Sequence, residues 1–201
     1  MTITLARETL ETALREAVAT LQGGGIIAYP TETFYGLGAK YDILSAIERI
    51  YEVKRRPAEK AMPLIIGRRE LLPLLTDSVS AQAEELMRTF WPGPLTLLFS
   101  ARSVLPAPLV SGGRVAVRIP GESFALRLAL KADFPITATS ANISAHPPAR
   151  SLEMILDYFG DSLDCIIDGG ESPGNIPSTI VDVAGEKIAL LRKGAVDIPL
   201  R

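Results

Sequence analysis

The sequence predicts an α/β protein, built as a single domain on a twisted mixed β-sheet with flanking helices and a concave site. Segments with apolar residues at helical spacing alternate along the chain with short apolar runs typical of buried strands. The chain has 201 residues, enough for one large core and short for two, so we expect one domain over 1–201. Hydrophobic residues make up 47% of the chain and charged residues 22%, values typical of a globular protein.

The first elements follow directly from spacing and from glycine or proline breaks. Apolar residues at helical spacing predict a helix over 10–21, and the glycines at 23–25 end it before a buried strand at 26–29. After a loop at 30–38, the same spacing predicts an amphipathic helix over 43–54 that cannot continue unbroken past a nearby proline. We therefore expect a cluster of basic residues in the last turn of this second helix.

The remaining elements continue the alternation. Short apolar runs predict strands at 64–66, 95–99, 115–118, 136–139, 165–167, 179–183 and 188–191. Helical spacing predicts helices at 79–90, 124–131 and 152–159, the last with Ser151 as its N-cap. Glycine, proline and asparagine concentrate in the loop 171–177, which we expect to be a mobile flap.

Charge and cysteine content exclude several classes. With 21 basic and 23 acidic residues the net charge is −2, so no global positive field would attract nucleic acid or an anionic membrane, and any basic site must be local. Cys165 is the sole cysteine and lies in an apolar run, which predicts a buried thiol in a reducing cytoplasm. Neither a leader nor a run of roughly 18 apolar residues is present, so we expect no secretion and no membrane span.

Three familiar chemistries do not fit this composition. One cysteine and one histidine cannot form a zinc site. A Ser-His-Asp triad would have to use His146, which stands before two prolines, and no Gly-x-Ser-x-Gly elbow is present; we expect a surface loop residue there. The P-loop motif is absent, and the glycines at 23–25 precede a strand rather than a helix. If ATP binds, side chains must neutralise its phosphates.

The most informative segment is 29–38, Tyr-Pro-Thr-Glu-Thr-Phe-Tyr-Gly-Leu-Gly, with the cations Lys54, Arg56 and Lys60 that follow it. Hydroxyls, a glycine turn and cations in one unit are suited to holding a small polar substrate against a polyphosphate. The alternative is that cations at a helix C-terminus only offset the helix dipole and are solvated.

Further candidates follow strands. Arg118 could grip a carboxylate with bidentate geometry, or form an ordinary strand-end salt bridge. The run 139–144, Thr-Ser-Ala-Asn-Ile-Ser, offers hydroxyl and amide donors for a phosphate or ribose, or alternatively a turn or helix cap. Ser178 and Arg192 are weak signals singly, and Thr96 is weaker still because threonine is common in strands.

Seven motifs in order resemble the threonylcarbamoyl-AMP synthase family, which has a YrdC-like domain. They are Tyr-Pro-Thr-Glu-Thr-x-Tyr-Gly-Leu-Gly, Lys-x-Arg-Pro, Trp-Pro-Gly-Pro-Leu-Thr, Val-Arg-x-Pro, Thr-Ser-Ala-Asn-x-Ser, Ser-Thr-Ile-Val-Asp and Leu-Arg-x-Gly, spread from residue 25 to about 194. The resemblance implies a nucleotidyltransferase that joins L-threonine, bicarbonate or CO₂, and ATP into threonylcarbamoyl-AMP and pyrophosphate. It implies a product used by a downstream tRNA threonylcarbamoyl transferase complex to modify tRNA.

The chemistry of that reaction requires little acid–base catalysis. A carbamate oxygen is already anionic, so attack on the α-phosphate needs alignment and charge neutralisation more than a strong base. We assign this electrostatic task to four cations, acting with the Mg²⁺ that accompanies ATP: Lys54, Arg56, Lys60 and Arg192. Of the residues in the site, Lys54, Arg56 and Arg118 are the ones we expect to be catalytic.

The resemblance also implies roles for the uncharged residues. Thr33, Arg118 and Ser178 are expected to contact threonine, with Arg118 on its carboxylate. Thr31 and Tyr35 are expected to shape that pocket. Ser140 and Asn142 are expected to face the nucleotide.

One departure leaves alternatives open. Many relatives have a histidine after Pro-Leu-Ile-Val, where this chain has Gly67, so a histidine contact cannot be transferred. The alternatives are a paralogue that uses another amine, and an RNA-binding module of the same fold without catalysis. Longer relatives append a further domain, and this chain resembles the single-domain form.

Overall fold

Strands and helices alternate as the sequence predicts, in a computed structural model that describes residues 1–173, 176–185 and 187–198. The strands of this described part are β1 (Thr2–Thr4), β2 (Ile27–Pro30), β3 (Tyr35–Gly38), β4 (Leu64–Ile65), β5 (Leu95–Ser100), β6 (Val110–Ser111), β7 (Arg114–Arg118), β8 (Ile136–Thr137), β9 (Thr139–Ser140), β10 (Cys165–Asp168), β11 (Thr179–Asp182) and β12 (Ala189–Arg192). The helices are α1 (Leu10–Gln22), α2 (Leu44–Lys54), α3 (Ala81–Phe90), α4 (Phe124–Ala132) and α5 (Leu152–Phe159). The α/β class is confirmed.

The strands form two mixed sheets, where the sequence analysis expected one. The first sheet has the order β1-β10-β2-β3-β9, with β1, β10 and β2 parallel and the other pairs antiparallel. The second sheet has the order β12-β11-β5-β7-β4-β8, with β6 added against β7. Apolar runs identify strands but carry no information on which strands pair, so the division into two sheets had no signal in the sequence.

The chain crosses between the sheets at Ala138. The single strand expected over 136–139 is in fact two: β8 pairs with β4 in the second sheet, and β9 pairs with β3 in the first. At the crossing, Ala138 N donates to Pro63 O at 2.8 Å. This crossing places the end of β9, and the polar turn that follows it, beside both sheets.

Strand β3 lies within 30–38, where the sequence predicts a loop. Its glycines are explained by Tyr29 on the neighbouring strand. A Cβ on Gly38 would lie 2.8 Å from Tyr29 Cε1, and one on Gly36 would lie 3.2 Å from Tyr29 Cζ. Only glycine lets the buried tyrosine ring lie across β3, so tertiary packing overrides local propensity here.

The helices cover the sheets with their apolar faces. Helices α1 and α4 pack together on the first sheet through a cluster that includes Leu14, Leu21 and Leu128. Ser151 Oγ accepts from Met154 N at the start of α5, which confirms the predicted N-cap. Cys165 is buried, as expected. Among the described helices, none combines the length and apolarity needed to cross a membrane.

Gly67 follows β4 and lies against the backbone of α4. A Cβ at this position would come within 2.5 Å of Leu130 N and 2.6 Å of Ala129 O. Real Cβ atoms are not found so close to backbone atoms, so either the helix or the strand would have to move. The glycine is therefore a close-packing position between β4 and α4.

We predict that Gly67→Ala destabilises the fold by about 1–3 kcal/mol, the usual cost of overpacking a rigid site. Gly23→Ala is the matched control, because its Cβ would meet only ordinary contacts of 3.4 Å or more. Urea denaturation of both variants measures the difference. Equal free energies of unfolding for the two variants would contradict the close-packing explanation.

Candidate active site

A cavity of about 790 Å³ is lined by residues of both sheets and of the loops between them. Five cations line it within the described residues, against a single carboxylate, Glu59. The cations are Arg56, Lys60, Arg114, Arg118 and Arg192. A cavity with this excess of positive charge is suited to an anionic ligand.

The structure brings most of the predicted site residues to this one cavity. Those that line it are Thr31, Thr33, Tyr35, Arg56, Lys60, Arg118, Ser140, Ser178 and Arg192. They come from positions spread over more than 160 residues of sequence. Lys54 and Asn142 do not line the cavity, although each is two residues away in sequence from a residue that does.

Strand β7 presents two arginines through its alternation. Arg114, Ala116 and Arg118 face the cavity, whereas Val115 and Val117 are buried in the core. Arg118 lies on this wall with its side chain only 12% exposed, and its Nη2 is 3.1 Å from Glu32 Oε1. Arg114 was not among the predicted residues, although the same period-2 alternation could have identified it.

A tight turn after β2 supplies the threonine hydroxyls. Thr31 Oγ1 donates to Phe34 O at 2.7 Å and accepts from Thr33 N at 3.0 Å. Its oxygen also lies 3.1 Å from Thr33 Oγ1. The turn is therefore held by Thr31, and it fixes Thr33 on the cavity wall.

Tyr35 lines the cavity while its hydroxyl is occupied elsewhere. The hydroxyl donates to Gly170 O at 2.8 Å and accepts from Gly169 N at 2.9 Å. Burial is the main cause that raises the pKa of Tyr35 to about 12, so the group stays neutral at ordinary pH. Tyr35 can shape the cavity with its ring but has no free proton to give a ligand.

Arg192 of β12, Ser178 just before β11 and Thr96 of β5 form one hydrogen-bond network. The Arg192 guanidinium donates from Nε and Nη2 to Ser178 O, at 3.0 and 2.8 Å, and from Nη2 to Ser178 Oγ at 3.1 Å. Ser178 Oγ is 2.9 Å from Thr96 Oγ1. Partial desolvation in the cavity wall, and then the like charge of Arg118, lower the pKa of Arg192. The positive charges of Arg118 and Arg192 are therefore close enough to repel each other.

Lys54 is buried behind the cavity wall, 2% exposed, and its ammonium bonds to carbonyl oxygens. Its Nζ donates to Ser140 O, to Asn142 O at 2.8 Å and to Asn142 Oδ1 at 3.3 Å. Burial, and then the charge of Arg56, lower the pKa of Lys54 to about 7. Lys54 was expected to contact the phosphates. In the structure its ammonium instead holds the backbone of Ser140 and Asn142.

Asn142 likewise faces the turn rather than the cavity. Its Nδ2 donates to Ile143 O and to His146 O, both at 2.9 Å, and its Oδ1 accepts from Ser140 Oγ at 2.5 Å. Lys54 and Asn142 together hold the turn that carries Ser140, which does line the cavity. His146 itself is exposed at this turn, which confirms the surface loop expected for it.

Arg56 and Lys60, the other two predicted cations, differ in how firmly hydrogen bonds hold their side chains. Arg56 Nε donates to Lys60 O and its Nη2 donates to Ala61 O, both at 2.9 Å, so its guanidinium also fixes the loop that it begins. Within the described residues, only the backbone groups of Lys60 form hydrogen bonds, and its ammonium forms neither a hydrogen bond nor an ion pair. Lys60 is therefore the more adaptable of the two.

Two expectations concern the rest of the site. The flap expected at 171–177 includes residues 174 and 175, which lie outside the described residues. No group of three histidine, cysteine or acidic residues that could hold a metal ion occurs in the described part.

Comparisons with known proteins show which family the chain resembles. A Pyrococcus abyssi protein named threonylcarbamoyl-AMP synthase is 39% identical, over an alignment that covers 98% of this chain and 59% of that protein. A Vibrio vulnificus protein of the same name is 37% identical over 90% of this chain and 98% of that protein. This chain thus spans about three fifths of the first relative and nearly all of the second.

A solved structure is similar as well. The crystal structure of P. abyssi Sua5 complexed with L-threonine superposes with a TM-score of 0.87 at 37% identity, over 96% of this chain and 57% of that chain. The sequence also matches the Sua5/YciO/YrdC family, described as telomere recombination, over residues 19–194. The resemblance carried by the seven motifs is confirmed, and the chain belongs to the Sua5/YciO/YrdC family.

Proposed function

We propose that this chain is a threonylcarbamoyl-AMP synthase, which joins L-threonine, bicarbonate or CO₂, and ATP and releases pyrophosphate. The observation that carries the proposal is the single cavity in which Arg118, Arg192, Arg56 and Lys60 meet the hydroxyls of several loops. The names of the relatives and the threonine complex of P. abyssi Sua5 support it.

The amino-acid end of the cavity is formed by Arg118 with Thr33 and Ser178. A buried arginine offers a fork of N–H donors that matches a carboxylate, and neighbouring hydroxyls can hold the amine or the side-chain hydroxyl of threonine. Arg118 is nearly enclosed, so its interaction with a carboxylate would be weakly screened by solvent. Thr31 holds the turn and the Tyr35 ring bounds the space.

The nucleotide end is formed by Arg56, Lys60 and Arg192, with Ser140 on the opposite wall. These cations would neutralise the phosphates as the carbamate oxygen attacks the α-phosphorus and the bond to the pyrophosphate oxygen breaks. Mg²⁺ bound to ATP supplies further charge neutralisation. Among the described residues Glu59 is the only acidic side chain that lines the cavity, so the ion would be held mainly by the phosphates and by water.

Lys54 and Asn142 act as positioning residues in this scheme. Their hydrogen bonds converge on the turn 140–146 and hold Ser140 at the cavity wall. Neither residue needs to touch a substrate for its loss to impair catalysis, because a displaced turn would move Ser140.

The two alternatives have less support than the synthase. An RNA-binding module would need its cations on an open surface, whereas these converge in a cavity. The alternative of a paralogue that uses an amine other than threonine was based on Gly67. That residue lies against α4 and does not line the cavity. We further propose a cytoplasmic enzyme whose product passes to a tRNA threonylcarbamoyl transferase complex.

The test of this function is pyrophosphate release measured with ATP, bicarbonate and L-threonine. We expect release to require all three, and to fall to background when threonine is omitted or replaced by glycine. Release that continues unchanged without threonine would show that the preferred substrate is wrong.

We predict that Arg118→Ala lowers kcat/KM for threonine by roughly two to three orders of magnitude, because one preorganised charged donor is worth about 2.7–4 kcal/mol. Arg127→Ala is the matched control, since Arg127 pairs with Glu122 on the exposed surface. Thermal denaturation of both variants separates a folding defect from a binding defect. Equal kinetics for the two folded variants would contradict the assignment of Arg118 to the carboxylate.

We predict a pH signature for Lys54. Its pKa is about 7 in the folded chain and about 10.4 in an unfolded chain, so between pH 7 and 10 the unfolded state binds more protons. The free energy of unfolding should therefore rise with pH in this window, by up to about 1.4 kcal/mol per pH unit. Lys54→Met should lack this contribution.

The measurement is urea denaturation of the wild type and Lys54→Met at pH 6, 7.5 and 9. The difference between the two free energies should be flat up to pH 7 and should grow in favour of the wild type above it. Lys131→Met, on the exposed surface beside Glu11, should track the wild type at each pH. Parallel curves for Lys54→Met would refute a lowered pKa.

A further inference from the structure

The carboxylate of Glu32 is the most unusual polar group near the cavity. Both of its oxygens are buried, and neither accepts a hydrogen bond from any described residue. Its side chain is 20% exposed and does not line the cavity. Buried carboxylates are normally satisfied by several donors, so this one calls for a specific reason.

Among the described residues, Arg118 is the one cation that forms an ion pair with Glu32. Arg118 Nη2 lies 3.1 Å from Oε1, a contact of ion-pair length without hydrogen-bond geometry. On another side, a Cβ on Gly121 would stand 4.0 Å from Oε1 and Cγ, so the loop after β7 covers the carboxylate. Glu32 therefore stands behind Arg118, in a place where a ligand in the cavity meets Arg118 first.

This arrangement divides the cavity cations into two groups. Arg118 has a carboxylate behind it, and so does Arg114, whose Nε lies 3.0 Å from Asp182 Oδ2. The other three cations have no carboxylate partner in the described part of the chain. Arg192 and Arg56 donate to uncharged oxygens only, and Lys60 makes no such bond.

The electrostatic consequence depends on the charge of the ligand. The attraction of Arg118 and the repulsion of Glu32 both scale with ligand charge, so Glu32, which lies farther from the ligand, cancels part of the advantage that a polyanion would have at Arg118. Arg118 keeps its directional hydrogen bonding, which a planar carboxylate meets with two parallel N–H···O bonds. The uncompensated cations keep a net field that favours a polyanion.

We infer that Glu32 determines anion selectivity within the cavity: it reserves Arg118 for the monoanionic carboxylate of the amino acid and keeps polyphosphate away from that position. The inference rests on the proposed function, since it assumes that an amino acid and a nucleotide share this cavity. Glu32 acts through Arg118 and is a positioning residue rather than a catalytic one. Its lack of hydrogen-bond donors leaves its full charge to act on Arg118.

The test is the Glu32→Gln variant, which removes the charge and keeps the shape. Threonine is titrated by calorimetry with and without inorganic pyrophosphate at ten times its own dissociation constant. In the wild type we expect the threonine dissociation constant to change less than twofold. In Glu32→Gln we expect pyrophosphate to occupy Arg118 as well and to raise the apparent threonine dissociation constant about elevenfold, the mass-action value for full competition.

Two further variants complete the experiment. Glu32→Met removes the charge without leaving a buried polar group unpaired, so it preserves the test if Glu32→Gln fails to fold. Glu122→Gln, at an exposed ion pair, should behave as the wild type. Thermal denaturation establishes that each variant is folded.

The outcomes separate cleanly. Competition in the folded Glu32 variants, absent from the wild type and Glu122→Gln, supports the inference. Folded Glu32 variants without competition overturn it, and so does a loss of threonine binding that pyrophosphate does not affect, because that result would indicate orientation alone. A wild type that binds no threonine contradicts the proposed function itself.

Discussion

The main constraint on this structure is electrostatic: the fold must hold several positively charged side chains around one cavity although they repel one another. Arg118 and Arg192 are near enough for the charge of Arg118 to contribute to the lowered pKa of Arg192, and Arg56 acts on Lys54 in the same way. Cations at such distances repel one another, and an isolated loop could not keep them together. Each of the three arginines is therefore tied to the fold by oxygens. Arg192 is bound to Ser178 and Arg56 to backbone carbonyls, whereas Arg118 is held by the charge of Glu32.

The two sheets provide the rigid frame for these restraints. The alternation of β7 aims Arg118 at the cavity, and the pairing of β11 with β12 brings Arg192 to Ser178, the residue just before β11. The crossing at Ala138 brings the turn after β9 to the opposite wall. Because the frame is made of paired strands, the charged groups keep their positions without a ligand, which is the condition for electrostatic preorganisation.

Much of this fold could be predicted from the sequence, and the failures have physical causes. Helices and most strands agree with the apolar patterns to within a few residues. The pairing partners of β8 and β9, and the strand character of β3, depend on contacts between distant segments. Local propensity therefore could not predict them.

The candidate site shows the same limit. Motifs identified which residue types gather in the cavity, yet they could not show on which side of a wall each side chain lies. Lys54 is two residues before Arg56, and the two have different tasks. Lys54 is still in the helix and points into the protein, whereas Arg56 follows the left-handed residue Arg55 at the helix end. Glu32 gave no signal beyond its place in a motif, because its unsatisfied burial exists only in three dimensions.

The nature of the proposed reaction explains why charge placement, rather than acid–base chemistry, dominates the site. A carbamate brings its own negative charge, and so does ATP, so both reacting groups are attracted by the same kind of side chain. A cavity lined only with cations could not distinguish them, and the more highly charged ligand would occupy every position. A buried carboxylate behind one arginine is a simple way to create two different positions from one kind of residue. The free-energy cost of leaving that carboxylate without hydrogen bonds is then the cost of selectivity at this site.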